Sequence, residues 1–72
     1  MYELSASERT ILDEIERYWG EHGIAPSFKD IIEATGIRGM GKVHLEVSRL
    51  EAMGYLRRTP NIARSLVLTP KA

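Results

Sequence analysis

Gly39-Met40-Gly41-Lys42-Val43-His44-Leu45-Glu46-Val47-Ser48-Arg49-Leu50-Glu51-Ala52-Met53-Gly54 is the stretch around which the 72-residue chain is organised. Val43, Val47 and Leu50 recur at spacings of four and three, so on a helix they form one apolar stripe that must be buried. At about 100° per residue, Gly41, Leu45, Ser48 and Ala52 point most directly away from that stripe. Lys42 and Arg49 flank that outer face on one side and His44 on the other, so it is small, polar and mildly basic. Gly54 closes the helix.

Upstream, Ser5 and Glu8 have capping-box spacing, and Ile11, Leu12, Ile15, Tyr18 and Trp19 repeat at helical intervals. A first helix is therefore expected from about Ala6 to about His22, ended by Gly23 and kept from continuing by Pro26. Ser27 caps a shorter second helix, with Asp30 at the reciprocal position and Phe28, Ile31 and Ile32 facing inward; it stops at Gly36. The connection Ile37-Arg38-Gly39-Met40 is too short and too glycine-rich for another element, which gives the second and third helices helix-turn-helix proportions. After Gly54 the pattern becomes extended. Tyr55 to Arg58 and Ser65 to Leu68 read as strands around a turn at Thr59-Pro60-Asn61-Ile62-Ala63. Leu56, Leu66 and Leu68 are expected to face the helices, with the arginines outward. The fold class is mainly α (α+β): a three-helix winged helix-turn-helix with a C-terminal two-stranded β-hairpin wing over residues 1–69, and residues 70–72 as a tail or the start of a linker.

A chain this short hides only about 60% of its unfolded surface and supports one modest core. There is no cysteine, hence no disulfide, thiolate nucleophile or cysteine-based zinc site, and two histidines do not complete a metal site. No cofactor is expected. No apolar run approaches the roughly 18 residues of a membrane span, and the N-terminus lacks the order of a signal peptide, so the expectation is a cytoplasmic protein without a membrane partner. The formal net charge of zero hides an asymmetry. Through Gly36, three basic residues stand against eight acidic ones, a balance of −5; from Ile37 onward seven basic residues stand against Glu46 and Glu51, a balance of +5. A basic half that covers the third helix and the hairpin fits a polyanionic partner. Internal pairing of the charges is the other explanation.

In such a fold the third helix enters the major groove and the wing lies along the backbone or the minor groove. Lys42 and His44 offer donors to base edges, and Leu45 offers a contact for a thymine methyl. Arg57, Arg58 and Arg64 hold phosphates, with Ser27, Arg38, Arg49 and Asn61 completing the expected backbone-contacting set. Leu45 could instead bury against the wing or a partner chain, and His44 could be a half-buried structural histidine. Tyr18, Trp19 and Tyr55 are too dispersed for a single-strand stacking platform and are expected at the core edge. No nucleophile, base and orienting acid occur at recognisable spacing, no glycine-rich phosphate loop is present, and the acids Asp13, Glu14, Glu16 and Glu21 read as a solvated helix face, so no enzymatic activity is expected.

Gly23-Ile24-Ala25-Pro26-Ser27 followed by Lys29-Asp30-Ile31 resembles the turn and second helix of the DNA-binding domain of LexA-type SOS repressors. Val43-His44, Leu50-Glu51, Gly54-Tyr55-Leu56-Arg57-Arg58, Pro60, Arg64, Leu66 and Leu68 are similar to its third helix and wing, and Ser5 with Ile11-Leu12 to its first helix. The resemblance covers nearly the whole chain. It implies a winged helix-turn-helix that binds double-stranded operator DNA, represses transcription in the response to DNA damage, and acts as a homodimer on palindromic sites, the isolated domain dimerising weakly or not at all. Carried over position by position, the base-reading set is Gly39, Gly41, Lys42, His44 and Leu45. The family commonly has serine or asparagine where this chain has Gly39 and Gly41, and its self-cleaving peptidase domain is missing from this sequence. The competing expectation is a winged-helix protein-interaction module in which Met40, Leu45 and Met53 form a docking patch.

Overall fold

A computed structural model describes residues 4–59, 62 and 64–71. Three helices, α1 (Ala6–His22), α2 (Phe28–Thr35) and α3 (Met40–Ala52), are followed by β1 (Leu56–Arg57) and β2 (Val67–Leu68). This is a three-helix winged helix-turn-helix with a C-terminal two-stranded antiparallel hairpin.

The two N-terminal capping boxes are complete. Ser5 Oγ accepts from the Glu8 N–H at 3.2 Å while the Glu8 carboxylate accepts from the Ser5 N–H at 2.8 Å. Ser27 and Asp30 repeat the exchange at 3.1 and 3.0 Å. Each box satisfies two of the N–H groups that a helix start leaves without partners. Gly23 and Gly36 end α1 and α2, as the sequence indicates.

One core holds the helices and the wing together. Ile11, Leu12 and Ile15 of α1, Ile31 of α2, and Val43, Val47 and Leu50 of α3 meet Ala25, Leu56 and Leu66 there, all at most 3% exposed. The stripe read from α3 is thus the packing face, every member of it wholly buried. Trp19 and Tyr55 pack at the core edge, and the Trp19 indole donates to the Leu66 carbonyl at 2.8 Å, which ties α1 to the wing. A second tie joins α1 to α3, where the Ser7 hydroxyl donates to the buried Glu46 carboxylate at 2.9 Å. The acids of α1 are not uniformly solvated: Glu14 is largely buried and is held by Arg17, which also pairs with Glu21.

The hairpin is shorter than its sequence pattern suggests. Leu56 pairs with Leu68 and Arg57 with Val67, two residues per strand instead of four. Above that pair the ladder gives way to side-chain bonds: the Thr59 N–H donates to Ser65 Oγ, which donates in turn to the Thr59 carbonyl. Arg64 also takes a left-handed conformation (φ 56°), incompatible with a strand. The turn chemistry assigned to Pro60 and Asn61 lies outside the described residues. Leu56 is buried and Leu68 half-buried, facing the core as expected, whereas the exposed pair Arg57 and Val67 faces solvent. Arg58 departs from the expectation of outward arginines, because adjacent strand residues point to opposite faces and Arg57 already points outward. Beyond β2 the chain stays against the domain through Lys71, whose ammonium caps the end of α3 at the Met53 carbonyl (2.8 Å) and lies over the Tyr55 ring.

The start of α3 is made differently from those of α1 and α2. Its N-cap is Gly39, with φ 97° and ψ 120° and no side-chain capping bond. That conformation is accessible to glycine and strained for any residue carrying a Cβ. Gly41 lies within the first helical turn, and a Cβ added there meets nothing within 4 Å. Two glycines separated by a single residue therefore have different causes. Gly41→Ala should stabilise the domain by about 0.5–1 kcal/mol, raising Tm by about 2–8 °C, because alanine restricts the unfolded chain and favours helix. Gly39→Ala should lower Tm by at least about 4 °C, from a backbone strain of about 1 kcal/mol or more. Thermal melts of the two variants check this, and equal effects of the two substitutions would contradict the distinct backbone roles.

Candidate nucleic-acid interface

Burying one face of α3 leaves the other in solvent. Lys42, His44, Leu45 and Arg49 are all exposed, as are Met40 and Gly41 at the start of the helix. Leu45 is 52% exposed, so it is not covered by the wing. Met40 is similarly open at 50%, whereas Met53 is half-buried and packs against the core. With a glycine at its N-cap, α3 has no side chain on the free amides of its first turn. Such amides, at the positive end of a helix, suit an anion.

Of the two acids of the basic half, one is buried and the other is paired. Glu46 is 6% exposed and is held by Ser7. Glu51 is engaged by Arg58, whose Nε lies 3.3 Å from its carboxylate. Arg38, Lys42, Arg49 and Arg57 are exposed around them. The charge balance read from sequence is thus sharpened in three dimensions: Glu46 is buried, Glu51 is paired with Arg58, and these four basic side chains remain outward.

Two of the arginines expected on phosphates carry protein contacts instead of projecting freely. Arg58 reaches back over α3, with Nη1 3.2 Å from His44 Nε2 and Nη2 donating to Ser48 Oγ at 3.3 Å, and its guanidinium stands 6.0 Å from the centre of the Phe28 ring. Arg64 Nη1 meets Asp30 at 2.8 Å, and the Tyr18 hydroxyl and the Ala25 carbonyl at 3.1 Å each. Strand alternation locates a Cα direction but not the far end of a long side chain, so neither contact set was visible in the sequence. An open cleft of about 320 Å³ lies between the start of α2, α3 and the wing; Ser27, Phe28, His44, Arg58 and Arg64 line it. Of the residues singled out from sequence, the structure brings Ser27, His44, Arg58 and Arg64 together at this cleft, with Lys42, Leu45 and Arg49 on the outer face of α3. Arg38 and Gly39 precede the helix and Arg57 is on the hairpin. Asn61 lies outside the described residues.

The fold and this exposed helix face agree with what the sequence is similar to. Residues 1–65 match the family model of the LexA DNA binding domain. The chain belongs to the LexA DNA-binding domain family. It is 38% identical over 72 residues to the LexA repressor of Koribacter versatilis, covering 99% of this chain and 34% of that protein. It is 40% identical over 63 residues to the LexA repressor of Leifsonia xyli subsp. xyli (88% of this chain, 28% of that protein), and 40% over 68 residues to that of Syntrophotalea carbinolica (94% and 34%). The chain spans about a third of the length of these relatives. The LexA-family match lies in the DNA-binding portion, and among the described residues no cluster of acids and histidines could hold a metal ion. Among them, too, no helix is long and apolar enough to cross a membrane.

Asp30 links the α2 cap to the wing. Its carboxyl is held down from an ordinary 3.8 to about 2, first by the Ser27 backbone N–H, then by the Ser27 hydroxyl and the Arg64 charge, against an opposing effect of partial desolvation. A depressed carboxylate pKa contributes stability that is fully present above the unfolded value and is lost as pH falls through the folded one. The stability difference between wild type and Asp30→Asn should therefore be constant above about pH 4 and should shrink between pH 4 and 2. Urea titrations of both proteins across that window check it; a difference that stays constant down to pH 2 would contradict the assignment.

Proposed function

We propose that this chain is the sequence-specific double-stranded DNA-binding domain of a LexA-like transcriptional repressor, acting in the cytoplasm on operators of the DNA-damage response. The observation that carries the proposal is the outer face of α3, where Lys42, His44 and Leu45 are exposed together while Glu46 is buried and Glu51 is paired with Arg58. With α3 in the major groove, Lys42 donates to guanine O6 or N7, His44 meets a base edge and Leu45 packs on a thymine methyl. Gly39 and Gly41 bring the backbone close to the DNA without side-chain readout, and the amides of the first turn of α3 take a phosphate. Arg38, Arg49 and Arg57 are the exposed cations for the flanking backbone, with Ser27 at the start of α2; the phosphate role first considered for Asn61 belongs to the same contact set.

One domain with so few base contacts binds weakly, toward the roughly 10⁻⁴–10⁻⁶ M of non-specific association at physiological salt. Two copies on a palindrome, about 34–36 Å apart along one groove face, raise affinity and specificity together. The isolated domain is a poor dimer by this reading, and DNA brings the copies together.

Titration of a palindromic duplex, enriched from random sequence, at two salt concentrations tests the proposal. Lys42→Ala combined with His44→Ala should reduce the preference for the enriched duplex over a random one by about tenfold or more. Arg57→Ala should weaken both duplexes alike and lower the salt slope by about one unit. Absence of duplex binding at low salt, or unchanged preference in the double variant, would overturn the assignment of α3 as the reading element.

A further inference from the structure

His44, Ser48 and Glu51 form one stripe along α3, at spacings of four and three, and a single side chain from the wing engages all three. Arg58 places Nη1 at 3.2 Å from His44 Nε2, Nη2 at 3.3 Å from Ser48 Oγ and Nε at 3.3 Å from the Glu51 carboxylate. Its side chain is only 23% exposed, and the Phe28 ring lies beneath it. Phe28 also meets His44 edge-on, with ring centres 5.6 Å apart and planes at 78°, so the imidazole is held between an aromatic edge and a guanidinium.

A guanidinium has donors and no acceptor. His44 Nε2 must therefore accept from Arg58, which puts the ring proton on Nδ1 in this arrangement. Among the described residues His44 makes no other hydrogen bond, and it is exposed. Its remaining polar group is a donor.

We propose that Arg58 is a positioning residue that fixes the hydrogen-bonding identity of His44, so that α3 presents an Nδ1–H donor and selects a base-edge acceptor at that step: purine N7, guanine O6 or thymine O4. The N4 amine of cytosine, a donor, is disfavoured there. The wing thus acts on specificity through the reading helix, without itself touching a base. The inference rests on the DNA-binding reading above, but its first half concerns the free protein and is measurable without DNA.

Long-range ¹H–¹⁵N correlation of the imidazole in the free, labelled protein at pH 8 is the first measurement. The expected result is a protonated Nδ1 and an acceptor-type Nε2 in wild type, with the Nε2–H form gaining population in Arg58→Met. A wild-type ring protonated on Nε2 overturns the proposal, and this arm decides it even where Arg58→Met does not fold. The second measurement is selection of bound sites from random duplexes with wild type, Arg58→Met, His44→Ala and their double variant. Arg58→Met and His44→Ala should each lose about five- to tenfold of preference at the same base position, and the double variant should lose no more than either. An Arg58→Met that weakens every duplex equally, with its sequence preference intact, identifies Arg58 as a phosphate clamp and overturns the proposal while leaving the DNA-binding reading in place. A wild-type protein that enriches no site overturns both.

Discussion

Val43, Val47 and Leu50, each wholly buried, fix the roll of α3 about its own axis. Full burial of each is worth about 1.5–3 kcal/mol. Together they are comparable to the whole net stability of a small domain, about 5–15 kcal/mol. Any roll that exposed them is thus closed to the folded state. Because the roll is fixed from inside, the outer residues are fixed with it, and Lys42, His44 and Leu45 face solvent as a consequence of where the valines and Leu50 go. The outer surface has few such constraints. Gly41 has open space around it, and Lys42, Leu45 and Arg49 are exposed, so residues there can change with little cost to the core.

Gly39 shows where that freedom ends. The chain leaves α2 through the left-handed Gly36 and enters α3 through Gly39 at φ 97°, which sets the short turn between the helices. The missing side chain at Gly39 is therefore explained by the turn, whereas the one at Gly41 has no steric or conformational cause in the fold. Its absence makes the helix start slimmer, while the glycine N-cap at Gly39 leaves the first-turn amides without a side-chain cap. In the proposed DNA-bound state, readout at the beginning of the helix falls on backbone shape, and discrimination by side chains begins at Lys42.

What could be read from the sequence was what depends on local periodicity and local hydrogen bonding. The bounds of α1 followed from Ser5, Glu8 and Gly23; those of α2 from Ser27, Asp30 and Gly36; and the packing face of α3 from a three-and-four repeat. Membership of the LexA DNA-binding domain family was legible for the same reason, since its signature residues are mostly caps, turns and core positions. The exposed position of Leu45 and the outer location of Lys42 also followed from periodicity. The destinations of long side chains did not. Arg58 and Arg64 were read from strand alternation as free cations, yet each finds partners on helices brought near only by the tertiary fold: Glu51, Ser48 and His44 for the first, Asp30 and Tyr18 for the second. Glu46 entered the charge balance like any other acid, and its burial against Ser7 of α1 was not legible. The short wing had the same origin, because Arg64 leaves extended geometry and Ser65 bonds Thr59 through its side chain, contacts that no strand pattern records.

These inward pairings bear on how a chain of zero net charge can present a surface to a polyanion. The molecule measures 32 × 27 × 24 Å, which is about three to four Debye lengths at physiological ionic strength. Exposed acids such as Asp13 and Glu16 lie on the side of α1 away from its packing face, so screening weakens their effect on a phosphate at the outer face of α3. The two acids of the basic half are engaged by neighbours: Glu46 is buried and accepts from Ser7, and Glu51 pairs with Arg58. Local charge at α3 and the wing is therefore positive although the total is zero. Arg58 pairs with the Glu51 carboxylate and also contacts His44, which couples the electrostatics of the wing to the helix it leans on.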